Sequence, residues 1–124
     1  MARIFLAIVG AAYLLLAAWC ALKPEQTSAS VGYELRAGSG RSEYFTVYGG
    51  LQAGLGILFL WPLMRPESTP TVLLGCLVVH GAIVVFRSLS FALFAGIQST
   101  TMILAGVEWA ILIASIAVQW QSTR

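Results

Sequence analysis

The sequence predicts an all-α fold, an integral membrane bundle of four antiparallel helices that forms a single domain over residues 1–124. Hydrophobic residues make up 59% of the chain and charged residues only 10%, whereas a soluble domain carries about 25% charged residues. That composition excludes a soluble globular protein, because so few ionic side chains do not cover the surface of a domain of this size. It also excludes a disordered chain, which needs low hydrophobicity and high net charge.

Four apolar segments, at residues 4–22, 44–64, 71–94 and 101–120, account for most of the length. A bilayer core needs about 20 helical residues at a rise of about 1.5 Å each. The segments are long and unbroken, whereas the strands of a membrane barrel alternate over about ten residues. Each segment therefore predicts one membrane-spanning helix, and we number these predicted spans first to fourth.

Residues 23–43 form the one long connection, and their Gly and Ser content predicts a flexible loop. Pro24 marks the end of the first span, because proline cannot continue the helical hydrogen-bond ladder. The other two connections, residues 65–70 and 95–100, are short. Short connections predict that consecutive helices are antiparallel neighbours.

The charges outside the spans decide the orientation only narrowly. Arg3 directly precedes the first span and favours a cytoplasmic N-terminus under the positive-inside rule, so that both termini would be cytoplasmic. The six basic residues concerned divide equally between the two sides, as Arg3, Arg65 and Arg124 against Lys23, Arg36 and Arg41. Aromatic rings are expected to anchor the span ends in the interface, at Trp19, Tyr44, Trp61 and Trp120.

Two residues of opposite charge, Arg87 and Glu108, lie inside the third and fourth spans. A charge near the centre of a span costs about 2.5–3.5 kcal/mol on insertion scales, so it usually has a partner. A hairpin that closes near residues 97 and 98 places Arg87 and Glu108 at equal depth, and it relates His80 to Ser115 in the same way. The sequence therefore predicts a polar seam between these two spans, with an Arg87–Glu108 ion pair.

The second span adds Tyr48 and Gln52, which are four residues apart on one helix face and at comparable depth. Two interpretations of the seam stay open. Either the ion pair and these side chains only fix the helices against one another, or they line a pocket that opens toward residues 23–43 and holds a polar head group or passes a proton. His80 is more typical of a hydrogen-bonded core histidine than of a ligand, because the chain has no second histidine, and we expect neither a metal site nor a cofactor. Ser115 is expected to hydrogen-bond to its own helix.

Small residues recur at a spacing that lets helices approach closely. Gly50 and Gly54 form a GxxxG element in the second span, and Gly106 and Ala110 repeat the spacing in the fourth. Packing inside the bundle is the preferred interpretation, and a homodimer seam is the alternative. The two cysteines, Cys20 and Cys76, are predicted on opposite sides of the membrane, too far apart for a disulfide.

The sequence at residues 48–56, YGGLQAGLG, resembles the signature of a small bacterial membrane family known as domain of unknown function 4345. Arg87, Glu108 and Gly81 fit that family's pattern as well, whereas His80 has no place in it. The resemblance implies a four-helix protein of the bacterial cytoplasmic (inner) membrane and supplies no activity. The layout is more loosely similar to the DoxX-like four-helix families, some of whose members are associated with membrane redox complexes.

Several function classes are excluded or disfavoured by the residue inventory. The chain has no aspartate, one histidine and no metal-spaced set, so we expect no catalytic activity. A net charge of +2 spread along the chain is no footprint for nucleic acid. We therefore expect an accessory subunit of a larger membrane complex, or a binder of a lipid- or quinone-like amphiphile at the polar seam, with the bilayer and a homodimer as further partners. The alternative is a transporter of protons or small solutes that acts as a homo-oligomer.

Overall fold

The computed structural model describes residues 1–122, and within this range the chain is helical without any strand. Arg124, which counts among the charges on the N-terminal side, lies outside the described residues. Helix α1 spans Ala2–Leu22, α2 Pro24–Ser30, α3 Ser39–Met64, α4 Thr69–Leu93 and α5 Ser99–Ser122. A 3-10 turn, Pro66–Ser68, precedes α4, and α3 is π-helical over Phe45–Leu51.

Helices α1, α3, α4 and α5 are each long and apolar enough to cross a membrane. The all-α fold with four spans is thereby confirmed. Each helix begins before its predicted apolar segment, and α5 also ends after it, because apolarity marks the depth of a residue in the bilayer whereas the hydrogen-bond ladder continues into polar residues. The long helices run antiparallel in chain order, so that α2 lies at the end of the bundle opposite the N-terminus.

The prediction of a loop throughout residues 23–43 was wrong. Pro24 occupies the first position of α2, where its missing N–H is no loss and its fixed φ suits a helix. Helix α3 begins at Ser39 rather than at residue 44. Residues 31–38 are the irregular part that remains. Gly32 and Gly38 adopt φ values of 85° and 74° there, which residues other than glycine rarely adopt.

Helix α1 packs mainly against α3, and α4 packs mainly against α5. The first contact depends on two glycines that the sequence pattern did not single out. A Cβ on Gly10 would lie 2.8 Å from the carbonyl oxygen of Gly56, and a Cβ on Gly56 would lie 3.0 Å from that of Gly10. The two backbones therefore approach more closely than any residue with a side chain allows.

The preferred interpretation of the small residues, packing inside the bundle, was wrong. A Cβ added at Gly50, Gly54 or Gly106 would meet nothing within 4 Å, and Ala110 is exposed. Gly56 follows Gly54 by two residues and so lies on the opposite side of the helix, where α1 packs. The GxxxG element lies within α3, but its glycines face away from the bundle. The homodimer seam stays a prediction.

The core lies nearer the N-terminal end of the bundle. Its buried residues are Leu6, Val9, Phe59, Val72, Leu73 and Cys76. At that end Arg3 Nε donates to the carbonyl oxygen of Pro62, at 3.1 Å. A cation at the carboxyl end of a helix binds unpaired carbonyls and favours the helix dipole, so Arg3 has a structural role in closing α3. Cys20 and Cys76 are both free and buried.

We expect Gly10→Ala to lower the free energy of unfolding by about 1–3 kcal/mol, the usual cost of overpacking a core, because the new methyl group meets the backbone of α3. Gly54→Ala is the matched control. It adds the same group in open space and should be neutral or stabilising by up to about 1 kcal/mol. Reversible unfolding in mixed micelles measures both, and equal losses in the two variants would contradict the α1–α3 crossing.

Candidate functional site

Arg87 on α4 and Glu108 on α5 form a two-pronged ion pair. Arg87 Nε donates to Glu108 Oε2 at 2.8 Å, and Nη2 donates to Oε1 at 2.7 Å. The side chains are 27% and 18% exposed. The predicted ion pair is confirmed, and its parallel geometry is the one in which a guanidinium matches a carboxylate best.

Further polar groups interact electrostatically with this ion pair. The phenols of Tyr33 and Tyr48 lie within electrostatic range of Arg87. The side chains of Tyr13 and His80 lie within electrostatic range of Glu108. The pair therefore lies between two sets of aromatic polar residues, one toward α2 and one toward the middle of the bundle.

His80 is buried, and both of its ring nitrogens are occupied. Nδ1 lies 2.8 Å from the carbonyl oxygen of Cys76, and Nε2 lies 3.1 Å from the hydroxyl of Tyr13. Because a carbonyl oxygen only accepts, we infer that Nδ1 carries the proton and that Nε2 accepts from Tyr13. The interpretation as a hydrogen-bonded core histidine is confirmed. Its partner Tyr13 was not among the predicted site residues, although a phenol in the middle of the first apolar segment indicates a polar contact there.

Ser115 behaves as expected toward its own helix, because its hydroxyl donates to the carbonyl oxygen of Ile111 at 2.8 Å. Across the helix pair it contacts Cys76 rather than His80, with 3.6 Å between Oγ and Sγ. Cys76 precedes His80 by one helical turn. Among residues 1–122, no three His, Cys, Asp or Glu side chains lie together as a metal ion would need.

A cavity of about 250 Å³ lies at the α2 end of the bundle. Its walls come from α1, α3 and α5 with α2 and Val31 above them, and α4 contributes no lining residue within the described part of the chain. The lining residues are Leu16, Trp19, Cys20, Thr27, Ser30, Val31, Tyr44, Tyr48, Gln52, Thr100 and Leu104.

The predicted seam is thus divided. Tyr48 and Gln52 line the cavity, whereas Arg87, Glu108, His80 and Ser115 do not. The interpretation in which the ion pair lines a pocket opening toward residues 23–43 does not hold for this cavity, because neither Arg87 nor Glu108 is among its lining residues. Spacing along a helix fixes the depth of a side chain, but the direction in which it points also depends on how each helix is turned toward its neighbours.

The cavity wall on α3 is built on the π-helical stretch Phe45–Leu51, which carries Tyr48 and ends directly before Gln52. Such π-helical turns are rare and occur frequently at functional sites. The rings of Tyr44 and Tyr48 stack there with centroids 4.5 Å apart. The sequence stretch that resembles the family signature therefore coincides with this wall.

The outer end of the cavity, which we call its roof, is formed by Thr27, Ser30 and Val31. Hydrogen bonds from Tyr44 and Tyr48 hold the roof in place. Tyr44 donates to Thr27 Oγ1 on α2 at 2.9 Å, and Tyr48 donates to the hydroxyl of Tyr33 at 3.1 Å. Tyr44 is only 5% exposed, so the expectation that it anchors the interface was wrong. Sequence reasoning missed Tyr33 and Thr27, although Tyr33, Tyr44 and Tyr48 are three of the four tyrosines in the chain.

Gln52 is a polar residue of the wall whose hydrogen bonding is incomplete. Its Oε1 is buried and has no hydrogen-bond partner among residues 1–122. By contrast, the Thr27 hydroxyl donates to the carbonyl of Lys23 at 2.9 Å and that of Ser30 to Thr27 at 2.7 Å. A buried polar atom without a partner is uncommon in folded proteins and calls for a physical explanation.

Residues 1–119 match the family model described as Domain of unknown function (DUF4345). No curated protein and no solved structure matches the chain. The match covers every lining residue of the cavity and both residues of the ion pair.

Removing one partner of the ion pair should be costly. We expect Glu108→Ala to lower the free energy of unfolding by about 3–5 kcal/mol, because it leaves the Arg87 guanidinium without its counter-charge, whereas replacing both residues by methionine should restore most of the loss. Unfolding in mixed micelles measures the three proteins. If the double variant is no more stable than Glu108→Ala, the two side chains do not depend on each other.

The hydrogen bond from Tyr13 to His80 joins α1 to α4. Tyr13→Phe keeps the ring and leaves His80 Nε2 without a donor, so we expect a loss of about 1–3 kcal/mol in the free energy of unfolding. In a His80→Leu background the same change should cost markedly less, and a double-mutant cycle measures the difference. Additive effects would show that the two side chains are not coupled.

Proposed function

The chain belongs to the DUF4345 family, whose function is unknown, and we propose that it is a membrane protein that binds a lipid- or quinone-like amphiphile in the cavity beneath α2. The observation that carries this proposal is the cavity itself, about 250 Å³ in volume. Its lining combines aliphatic and aromatic side chains with a few hydroxyls and the Gln52 amide. Sites for small organic ligands have this mixture of apolar walls and a small number of placed polar groups.

The proposal concerns binding without catalysis, by the protein alone or as a small accessory subunit of a larger membrane complex. It moves the site from the ion pair to Tyr48 and Gln52, which lie on one face of α3. The pair then has a supporting role, since it holds α4 against α5 beside the cavity. This arrangement is consistent with the absence of any ionic residue from the lining given above.

Transport of protons or small solutes is less well supported. Both carboxylate oxygens of Glu108 are bound by Arg87, and both ring nitrogens of His80 have partners. A proton relay needs groups that exchange partners readily, so these engaged side chains favour binding over transport.

We further propose that the protein lies in the bacterial cytoplasmic membrane with both termini inside the cell. Four spans place the two termini on the same side. The basic residues outside the spans divide equally between the two sides, and Arg3, directly before the first span, is the one that favours a cytoplasmic N-terminus.

Filling the cavity should abolish binding. Leu104 lines the cavity from α5, so we expect Leu104→Trp to occupy the space and remove a bound amphiphile. Leu89→Trp is the matched control, because Leu89 on α4 is 52% exposed and outside the cavity. Native mass spectrometry after extraction in a mild detergent should show a one-to-one adduct on the wild type and on Leu89→Trp.

The amount of adduct on Leu104→Trp should fall at least about 10-fold, as for a loss of roughly 1.4 kcal/mol or more in binding free energy. A wild-type protein that emerges without any adduct from several lipid mixtures contradicts the proposal. An adduct that persists unchanged in Leu104→Trp also contradicts it, because such a molecule would be bound elsewhere.

A further inference from the structure

The walls of the cavity contain no side chain that carries a full charge, within the part of the chain that the structure describes. Two of the basic residues at this end of the bundle are already paired. Arg87 pairs with Glu108 on the neighbouring face, and Arg41 pairs with Glu25 at 2.7 Å on the outer surface. The basic residues here that have no ion-pair partner among the described residues do not line the cavity, namely Lys23 and Arg36. A charged head group in the cavity would therefore lose its hydration without gaining a counter-ion, which is costly in a low-dielectric site.

One polar group that the wall leaves without a hydrogen-bond partner, within residues 1–122, is a neutral amide. The hydroxyls of Tyr44, Tyr48 and Thr27 donate to partners inside the protein. Gln52 Oε1 has no partner. In a side-chain amide the oxygen accepts and the nitrogen donates, so Oε1 pairs with a ligand hydroxyl, whereas a ligand carbonyl oxygen pairs with the N–H groups of Nε2.

The amide lies at the inner end of the cavity. Gln52 follows Tyr44 by eight residues on α3, about 12 Å along a helix. Leu16 on α1 and Leu104 on α5 lie at the same inner end as Gln52, whereas Thr27 and Ser30 form the roof. The head group of a ligand would thus meet its polar partner within the membrane rather than at the surface.

The size of the cavity limits what it encloses. Sites that enclose a whole drug-sized ligand usually have about 300–1,000 Å³, and this cavity has about 250 Å³. It accommodates a head group but not a long tail. A long tail would therefore extend out of the cavity into the bilayer.

We infer that the head group bound in this cavity is uncharged and carries a carbonyl or hydroxyl oxygen, which pairs with the Gln52 amide. The chemistry is shared by quinone rings and by neutral glycerolipids, and it excludes lipids with a phosphate head group. This inference rests on the proposed function and adds the class of ligand to it.

The test compares probes of matched tail and different head, on the full chain in detergent micelles. Dioctanoylglycerol is the uncharged lipid, dioctanoyl phosphatidic acid carries a phosphate on the same two chains, and a benzoquinone with a short prenyl tail is the uncharged ring. Each probe is titrated in native mass spectrometry against the wild type, Leu104→Trp, Gln52→Leu and Gln121→Leu. Gln121→Leu makes the same change at the opposite end of the bundle, at an exposed glutamine, and it serves as the control.

We expect at least one uncharged probe to bind the wild type about 10-fold or more tightly than phosphatidic acid does. Which of the two uncharged probes binds shows whether the natural head group is a ring or a glycerolipid. Gln52→Leu should weaken that binding about 3- to 10-fold, as for the loss of one hydrogen bond, whereas Gln121→Leu should leave it unchanged. The comparison between probes on the wild type holds even if Gln52→Leu folds poorly.

The outcomes separate the two proposals. If phosphatidic acid binds as tightly as the uncharged probes, and Leu104→Trp abolishes its binding, the inference about the head group is overturned while the cavity remains a binding site. Unchanged affinity of the uncharged probes in Gln52→Leu overturns the role of the amide. If no probe binds the wild type, or if Leu104→Trp binds all of them as the wild type does, the proposed function itself is overturned.

Discussion

The close approach of α1 and α3 at Gly10 and Gly56 is the constraint on which the rest of the bundle depends. Each glycine leaves room for the carbonyl of the other, and a side chain at either position would push the helices apart. The crossing fixes the depth of everything else that the two helices carry. One turn beyond Gly10, Tyr13 reaches His80 on α4; at the far end of the same pair, Cys20 meets Tyr44 beneath α2.

The second pair of helices is joined by a different force. Helices α4 and α5 share the Arg87–Glu108 ion pair, whereas α1 and α3 meet by close van der Waals contact. An ion pair within a membrane adds little net stability, since desolvation offsets the attraction, but breaking it is costly and it therefore fixes register. The pair and the cavity occupy neighbouring faces, so that the charges neutralise each other and leave the cavity walls uncharged.

The sequence predicted what depends on position along one helix. Four spans follow from apolar length, and the Arg87–Glu108 contact follows from the depths of two charges on a short hairpin. The sequence did not predict which face of each helix points toward its neighbours. Gly54 and Gly56 look equivalent in sequence, yet one faces outward and the other lies against α1, because only the neighbouring helix decides which glycine is needed. In the same way, Pro24 ends α1 and also begins α2, and Gly and Ser content alone predicted a loop where Thr27 and Ser28 are buried.

The polar groups within the spans follow one rule, and Gln52 is the departure from it. In hydrocarbon every polar group needs a partner inside the protein, and this holds for Arg87 with Glu108, His80 with Tyr13, and Ser115 with the backbone of its own helix. Gln119 also has a buried oxygen without a partner, but it lies three residues before the end of α5, near the interface. Gln52 lies in the middle of α3. An amide at that depth is expensive unless something pairs with it, and the cavity beside it is the place from which a partner would come.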